Sequence, residues 1–155
     1  MKIIFLDIDG VLNHSRFLKE RAPSCVMGIS DELVLKLKQI VGKTDAKIVL
    51  ISTWKDIWEK DENLCEEDAL YLNKKLKMQD LFVHDKTLNE LVKDRGLGIH
   101  EYLLNNNVEN FVILDDYDNE DFEKYDLKRN FIKVNRRTGL SDDDVEKAVK
   151  ILNNI

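Results

Sequence analysis

The sequence predicts an α/β fold: a doubly wound, Rossmann-like sheet of five parallel strands, with helices on both faces and only a minimal cap. Three observations predict it. Short apolar runs of strand length alternate with segments of helical period, the pattern of repeated strand–helix–strand units. The first run, Ile3 to Leu6, is rich in β-branched and aromatic residues with no polar interruption, as expected of a strand buried on both faces. Two of the runs end in paired acids, Asp7 and Asp9 after the first and Asp115 and Asp116 after the fourth. In open α/β sheets, ligands bind beyond the carboxyl ends of the strands.

Strand one is followed by residues 14–29, which hold the chain's single proline, Pro23, and show no clear period, so they read as a loop or short flap over the site. Ser30, with Asp31 and Glu32 behind it, starts a helix in which Leu33, Leu37, Ile40 and Val41 recur at helical spacing, and Gly42 is expected to stop it. Lys47 to Ile51 is the second strand. Trp54 to Lys77 is expected to be helical in two pieces, the first with Ile57 and Trp58, the second with Ala69, Leu72 and Leu76, separated by the charged stretch 60–63. Leu81 to His84 reads as strand three, Thr87 as the cap of a turn carrying Leu88, Leu91 and Val92, and about Gly98 to Leu104 as a further helix. Phe111 to Leu114 and Phe131 to Val134 are strands four and five. Ser141 caps a last helix whose apolar stripe is Val145, Ala148, Val149 and Leu152.

A chain of 155 residues can bury one sizeable core, so residues 1–155 are expected to form a single domain. With 43% hydrophobic and 35% charged residues the composition is globular rather than disordered. No apolar run has the length of a membrane span, and the amino terminus shows no basic-then-apolar leader pattern, which points to the cytoplasm. Cys25 and Cys65 are too isolated for a disulfide framework or a thiolate metal site and read as reduced, half-buried side chains. The formal net charge of −6 argues against broad attraction to nucleic acid or anionic membrane, though not against a local basic face. Nothing in the sequence signals an obligate protein partner.

The organising stretch is Phe5-Leu6-Asp7-Ile8-Asp9-Gly10-Val11-Leu12-Asn13. Gly10 frees the backbone to turn, so Asp7 and Asp9 emerge together, and two close carboxylates repel unless a proton or cation lies between them. Ser52 ends strand two, where its hydroxyl and the following backbone, including Thr53, could hold a phosphate oxygen, or where it could act as a plain helix cap. Lys55 could assist phosphate binding or be an ordinary exposed lysine.

These residues carry a resemblance. Asp7-x-Asp9-Gly10-Val11-Leu12 resembles the first motif of the haloacid dehalogenase-like superfamily, Lys47 to Trp54 is similar to its second, and Phe111 to Asp116 to its fourth. Asp-Gly-Val-Leu-Asn, Ser-Thr-Trp, Arg95-Gly96-x-x-Ile99 and Thr138-Gly139-Leu140-Ser141 most resemble small, cap-poor members, including the phosphatase-like domain of RNA-repair proteins. The resemblance implies the strand order 5-4-1-2-3, which sets Asp115 and Asp116 across from Asp7 and Asp9. It implies Mg²⁺ as cofactor, which suits an all-oxygen acid cluster. It implies Asp7 as nucleophile and metal ligand, with Asp9 as general acid and base and, through its carbonyl, a further ligand. Asp116 is favoured as the direct fourth-motif ligand, with Asp115 acting through water or in support. The third-motif cation is Lys93 or Arg95, and Arg95 is preferred for its planar fork.

The bordering acids Asp118, Glu120 and Asp121 read as solvated loop charges, and Trp54 and Trp58 as a packed face rather than a base-stacking platform. His14, His84 and His100 are too scattered for a metal site. Arg136 and Arg137 either steer an anionic substrate or form a solvated turn. The resemblance implies phosphomonoester hydrolysis; neither interval flanking strand two is long enough to build a full lid, so the site is expected to be open, with room for the 3′ phosphate of a polynucleotide, to which the resemblance to RNA-repair domains also points. Nucleotides, small phosphate esters, and non-catalytic binding of metal and phosphoryl groups are the alternatives.

Overall fold

A computed structural model describes residues 1–24 and 27–155, so Cys25 lies outside the described residues. The strands are β1 (Lys2–Leu6), β2 (Lys47–Leu50), β3 (Val83–Lys86), β4 (Asn110–Asp115) and β5 (Phe131–Lys133). They form one all-parallel sheet in the order β3-β2-β1-β4-β5, the expected 5-4-1-2-3 seen from the other edge. The helices are α1 (Asp31–Thr44), α2 (Glu67–Lys77), α3 (Arg95–Asn105), α4 (Asp121–Lys124) and α5 (Asp142–Asn153).

β1 lies at the centre because its side chains are apolar on both faces. Ile4 and Leu6 enter a core shared with α1, α2 and α5, while Ile3 and Phe5 enter a second core with Ile99 and Tyr102 of α3 and Phe122 of α4. Phe5 meets the rings of Tyr102 and Phe111 edge-on at 5.6 and 5.7 Å. Burying each such side chain contributes roughly 1.5–3 kcal/mol, enough to hold the central strand against the loss of chain entropy. Hydrogen bonding continues one step past the strand: Asp7 donates its N–H to the Leu114 carbonyl (2.9 Å), and Ile51 donates to Leu6 (3.0 Å). The carboxyl ends of β1, β2 and β4 are thereby level.

The serine caps form as expected. Ser30 accepts from the Leu33 N–H, and Ser141 makes a reciprocal capping box with Asp144. Several boundaries differ from expectation for physical reasons. Gly42 does not end α1; it sits inside the helix with open space around it, and Asp45, in the left-handed region at φ 57°, provides the stop. The first piece of the Trp54 to Lys77 segment is only a 3₁₀ turn, Thr53–Asp56, and the charged stretch contributes a second, Glu62–Leu64. Strand three begins at Val83, because Leu81 folds back to donate to Leu76 while Phe82 is solvent-exposed. Thr87 extends the sheet by donating to Leu50, and Leu88, Leu91 and Val92 are exposed rather than packed in a capped turn. Helix α3 starts at Arg95, about a turn before the expected Gly98.

The loop after β1 is tied to the helical layer rather than free of it. Phe17 and Ala22 are buried, Ile29 donates to the Tyr71 hydroxyl, and Lys75 of α2 pairs with both Glu20 and Asp31. No helix among the described residues is long and apolar enough to cross a membrane.

Candidate active site

Asp7, Asp115 and Asp116 converge where β1 and β4 end, with carboxylate oxygens all within 4.8 Å of one another. Burial, then the charges of Asp115 and Asp116, push Asp7 well above the usual carboxylate range; Arg95 only partly opposes this. Asp115, fully buried, is raised as well, again chiefly by burial. Three acids held this way need positive charge.

One source is Arg95, placed at the start of α3. Its Nη1 lies 2.7 Å from Asp115 Oδ2 and 3.6 Å from Asp7 Oδ1. Burial alone would lower its pKa, but Asp7 and Asp115 outweigh that and raise it, so the guanidinium stays charged. The first turn of α3 is fixed from a distance: Asp121 accepts the N–H groups of Gly96 (3.0 Å) and Leu97 (2.9 Å). A Cβ at residue 96 would come within 2.6 Å of that carboxylate, so the fit requires glycine. Asp121 is therefore the cap that orients Arg95, not a solvated loop charge. Asp118, by contrast, forms a partly exposed pair with Lys128, as a loop charge would, and Glu120 is exposed.

The two fourth-motif acids differ in what already holds them. Asp115 accepts from Arg95, from the Tyr117 N–H (3.0 Å) and from Asn119 Nδ2 (3.1 Å). Asp116 is half-buried, and the nearest cation is the Arg136 Nε at 3.9 Å. Its carboxylate packs on Gly10, where φ is +84° and any Cβ would sit 2.5 Å from Asp116 Oδ2. Gly10 is required both by backbone conformation and by this approach.

Asp9 stands apart from the cluster. Its two carboxylate oxygens accept from Asn13 Nδ2 (3.0 Å) and Trp54 Nε1 (3.2 Å), while Asn13 also accepts the Gly10 N–H and donates to the Gly28 carbonyl. A cleft of about 550 Å³ joins Asp7, Asp9, Ser52, Thr53, Arg95 and Asp116, with Lys93 and Tyr117 also on its wall. The Arg95 Nε is buried there without a hydrogen-bond partner. A buried donor left unmade costs roughly 1–3 kcal/mol, which an incoming anion would offset.

Ser52 is buried and accepts from the Trp54 N–H at 3.2 Å, so it caps the 3₁₀ turn; its own O–H remains free to donate into the cleft. Thr53 is exposed on the cleft wall. Lys55 departs from expectation: it is buried, and its Nζ donates to the Asn89 carbonyl at 2.5 Å, pinning the loop after β3. Trp54 and Trp58 are both packed into the core. His14 and His100 lie against Phe17 and Tyr125 respectively, and no histidine joins the acid cluster among the described residues.

Besides Asp121, two contributors do not read as site residues in the sequence. Asn119 holds Asp115, and Asn13 holds both Asp9 and Gly10. Asn13 sits four residues from Asp9 within the first motif and was open to recognition as a local side-chain clamp. For Asn119 and Asp121 the contacts form only once the loop after β4 has folded over α3.

The donor set is all oxygen, mutually repelling and open to the cleft on its Asp116 side, so these residues could hold a hard divalent cation. A family model described as the HAD domain in Swiss Army Knife RNA repair proteins matches residues 3–145, a span that contains every residue lining the cleft. No curated protein and no solved structure matches the chain.

Proposed function

We propose that this chain, which belongs to the family of HAD domains in Swiss Army Knife RNA repair proteins, is a Mg²⁺-dependent phosphomonoesterase that works through an aspartyl-phosphate. The observation that carries the reading is the setting of Asp7. It lies between an acid cluster suited to a cation and a buried guanidinium with an unused N–H. Mg²⁺ held by Asp7, Asp116 and the Asp9 carbonyl would neutralise charge between nucleophile and phosphate.

The chain's own residues divide the remaining work. Asp7 attacks phosphorus with one carboxylate oxygen as the bond to the leaving oxygen breaks, and Asp9 gives that oxygen its proton. Asp9 then takes a proton from water, whose oxygen attacks the phosphorus of the aspartyl-phosphate, releasing inorganic phosphate and restoring the Asp7 carboxylate. Asn13 and Trp54 fix the Asp9 carboxylate for both transfers. Arg95 and the Ser52 hydroxyl hold phosphoryl oxygens, with the backbone of Thr53 alongside, while the Gly10 N–H is taken up by Asn13. Asp115 supports Arg95 rather than binding the cation directly, because three donors already occupy it.

The proposed substrate is the terminal phosphate of a polynucleotide, the 3′ phosphate in the first instance, because no lid that would enclose a small metabolite covers the cleft among the described residues. A nucleotide or small-metabolite phosphate is the second reading, favoured by the net charge of −6, which opposes a polyanionic strand more than a small ester. Phosphate release from 3′- and 5′-phosphorylated oligonucleotides, mononucleotides and sugar phosphates, compared under one condition with Mg²⁺, tests both. The first reading expects the highest kcat/KM on a phosphorylated polymer; far faster turnover of small esters would select the second.

A further inference from the structure

The two sides of the cleft carry opposite charge. On the β2 side, a groove of about 720 Å³ shares Asp9 and Thr53 with the cleft and adds Glu66, Glu67 and Asp68 to its lining. A second phosphate on the substrate would meet repulsion there. On the β5 side, the loop after β1 and the loop after β5 are joined by a hydrogen bond from the Ser15 N–H to the Arg136 carbonyl, at 3.0 Å. That bond brings Arg16 beside the adjacent pair Arg136 and Arg137, so half of the chain's six arginines stand in two touching loops.

These side chains are not engaged in holding the fold. Arg136 is 77% exposed and only loosely paired with Asp116, and Arg16 and Arg137 have no acidic partner among the described residues. In a protein with a net charge of −6, three exposed arginines in two joined loops, one of them in contact with Asp116 of the acid cluster, form a local basic face that the overall charge conceals. Guanidinium forks suit phosphodiester oxygens, and the contact of Arg136 with Asp116 puts the face at the mouth of the cleft.

We propose that Arg16, Arg136 and Arg137 form a lip that binds the phosphodiester backbone of a single-stranded polynucleotide. The strand crosses the β5 side, its terminal phosphate enters the cleft, and the acidic groove keeps it from the β2 side. This rests on the phosphomonoesterase reading above and adds the path of the substrate.

The test is binding of a 5′-fluorescent, 3′-phosphorylated oligoribonucleotide, followed by anisotropy over a range of salt, in an Asp7→Asn background that prevents turnover. R16Q/R137Q should weaken binding about tenfold and make the slope of log affinity against log salt shallower by about 1 to 1.5, the loss of two phosphate contacts on a single strand. R16K/R137K, which keeps the charge, should recover most of the slope. Unchanged affinity and slope in R16Q/R137Q, or no binding by the parent at low salt, would overturn the proposal. Turnover of p-nitrophenyl phosphate by the wild-type protein reads the phosphatase assignment separately. Its absence would remove that assignment and leave the anisotropy result standing on its own.

Discussion

At the end of β4, Asp115 and Asp116 are pressed toward Asp7, and among the described residues the buried cation that reaches the group is Arg95. At the end of β2, on the other side of β1, the polar groups are answered from within the chain. Lys55 donates to Asn89, and Thr87 closes the ladder on Leu50. Both ends are polar, buried and reached by a parallel strand. What separates them is whether the chain supplies the partners. Where it does, the residues hold architecture; where it leaves charge uncompensated, they are available for chemistry.

Substitutions at the two ends should therefore fail in different ways. Asp116→Ala should lower phosphatase kcat/KM by about a hundredfold or more while raising the melting temperature of the metal-free protein, since one repelling charge is gone. Lys55→Met should do the reverse. It strands the buried Asn89 carbonyl and should cost about 1–3 kcal/mol of stability in denaturant titration, with turnover retained well below the melting point. A large loss of kcat in a well-folded Lys55→Met protein would break the comparison.

Metal should act at one end only, and with a definite pH dependence. Asp7 and Asp115 have folded-state pKa values raised above the ordinary 3.8. For an acid raised on folding, the stability it contributes is fully present below the unfolded pKa and is lost as pH rises through the folded value. The metal-free protein should accordingly lose stability as pH rises from about 4 upward. A cation that binds the ionised cluster reverses this, so the Mg²⁺-induced rise in melting temperature should be larger at pH 7 than at pH 5. At a hundredfold excess over its dissociation constant the cation should add about 2.7 kcal/mol. An equal shift at both pH values would contradict the assignment of these acids to the site.

Smaller effects sharpen the same contrast. Asp121→Ala removes the acceptor for two α3 N–H groups and should cost about 0.5–2 kcal/mol, with a loss of activity that follows the displaced Arg95. Gly42→Ala, which meets open space inside α1, should raise stability by about 0.5–1 kcal/mol and leave turnover as it is.

Much of this arrangement is legible in the sequence because its signals are local. The apolar run Ile3 to Leu6, the acids that close β1 and β4, and the serine caps of α1 and α5 all lie within a few residues of what they determine. Less legible are contacts that exist only after distant segments meet. Asp121 reads as a surface charge until α3 is laid against it, and its partners lie 24 and 25 residues away. Lys55 reads as either a phosphate-binding or an exposed lysine until the loop after β3 covers it. Strand three lies two residues beyond the start that the apolar Leu81 and Phe82 suggest, because the pairing falls on Val83, Asp85 and Lys86, and an edge strand tolerates those polar residues. The helix stop moved from Gly42 to Asp45 because a glycine with no clash and no need for positive φ does not by itself break a helix.

The proposed mechanism requires Asp7 to be a nucleophile and not merely a metal ligand. The most direct measurement is covalent phosphate on Asp7 during turnover, detected by acid quench of the Mg²⁺-loaded enzyme with substrate, borohydride reduction and peptide mass spectrometry. The account predicts reduction of residue 7 to homoserine in the wild-type protein and none in Asp7→Asn, which should remain folded and lose nearly all turnover. Wild-type-like activity in Asp7→Asn, or full turnover with no trapped residue 7, would contradict it.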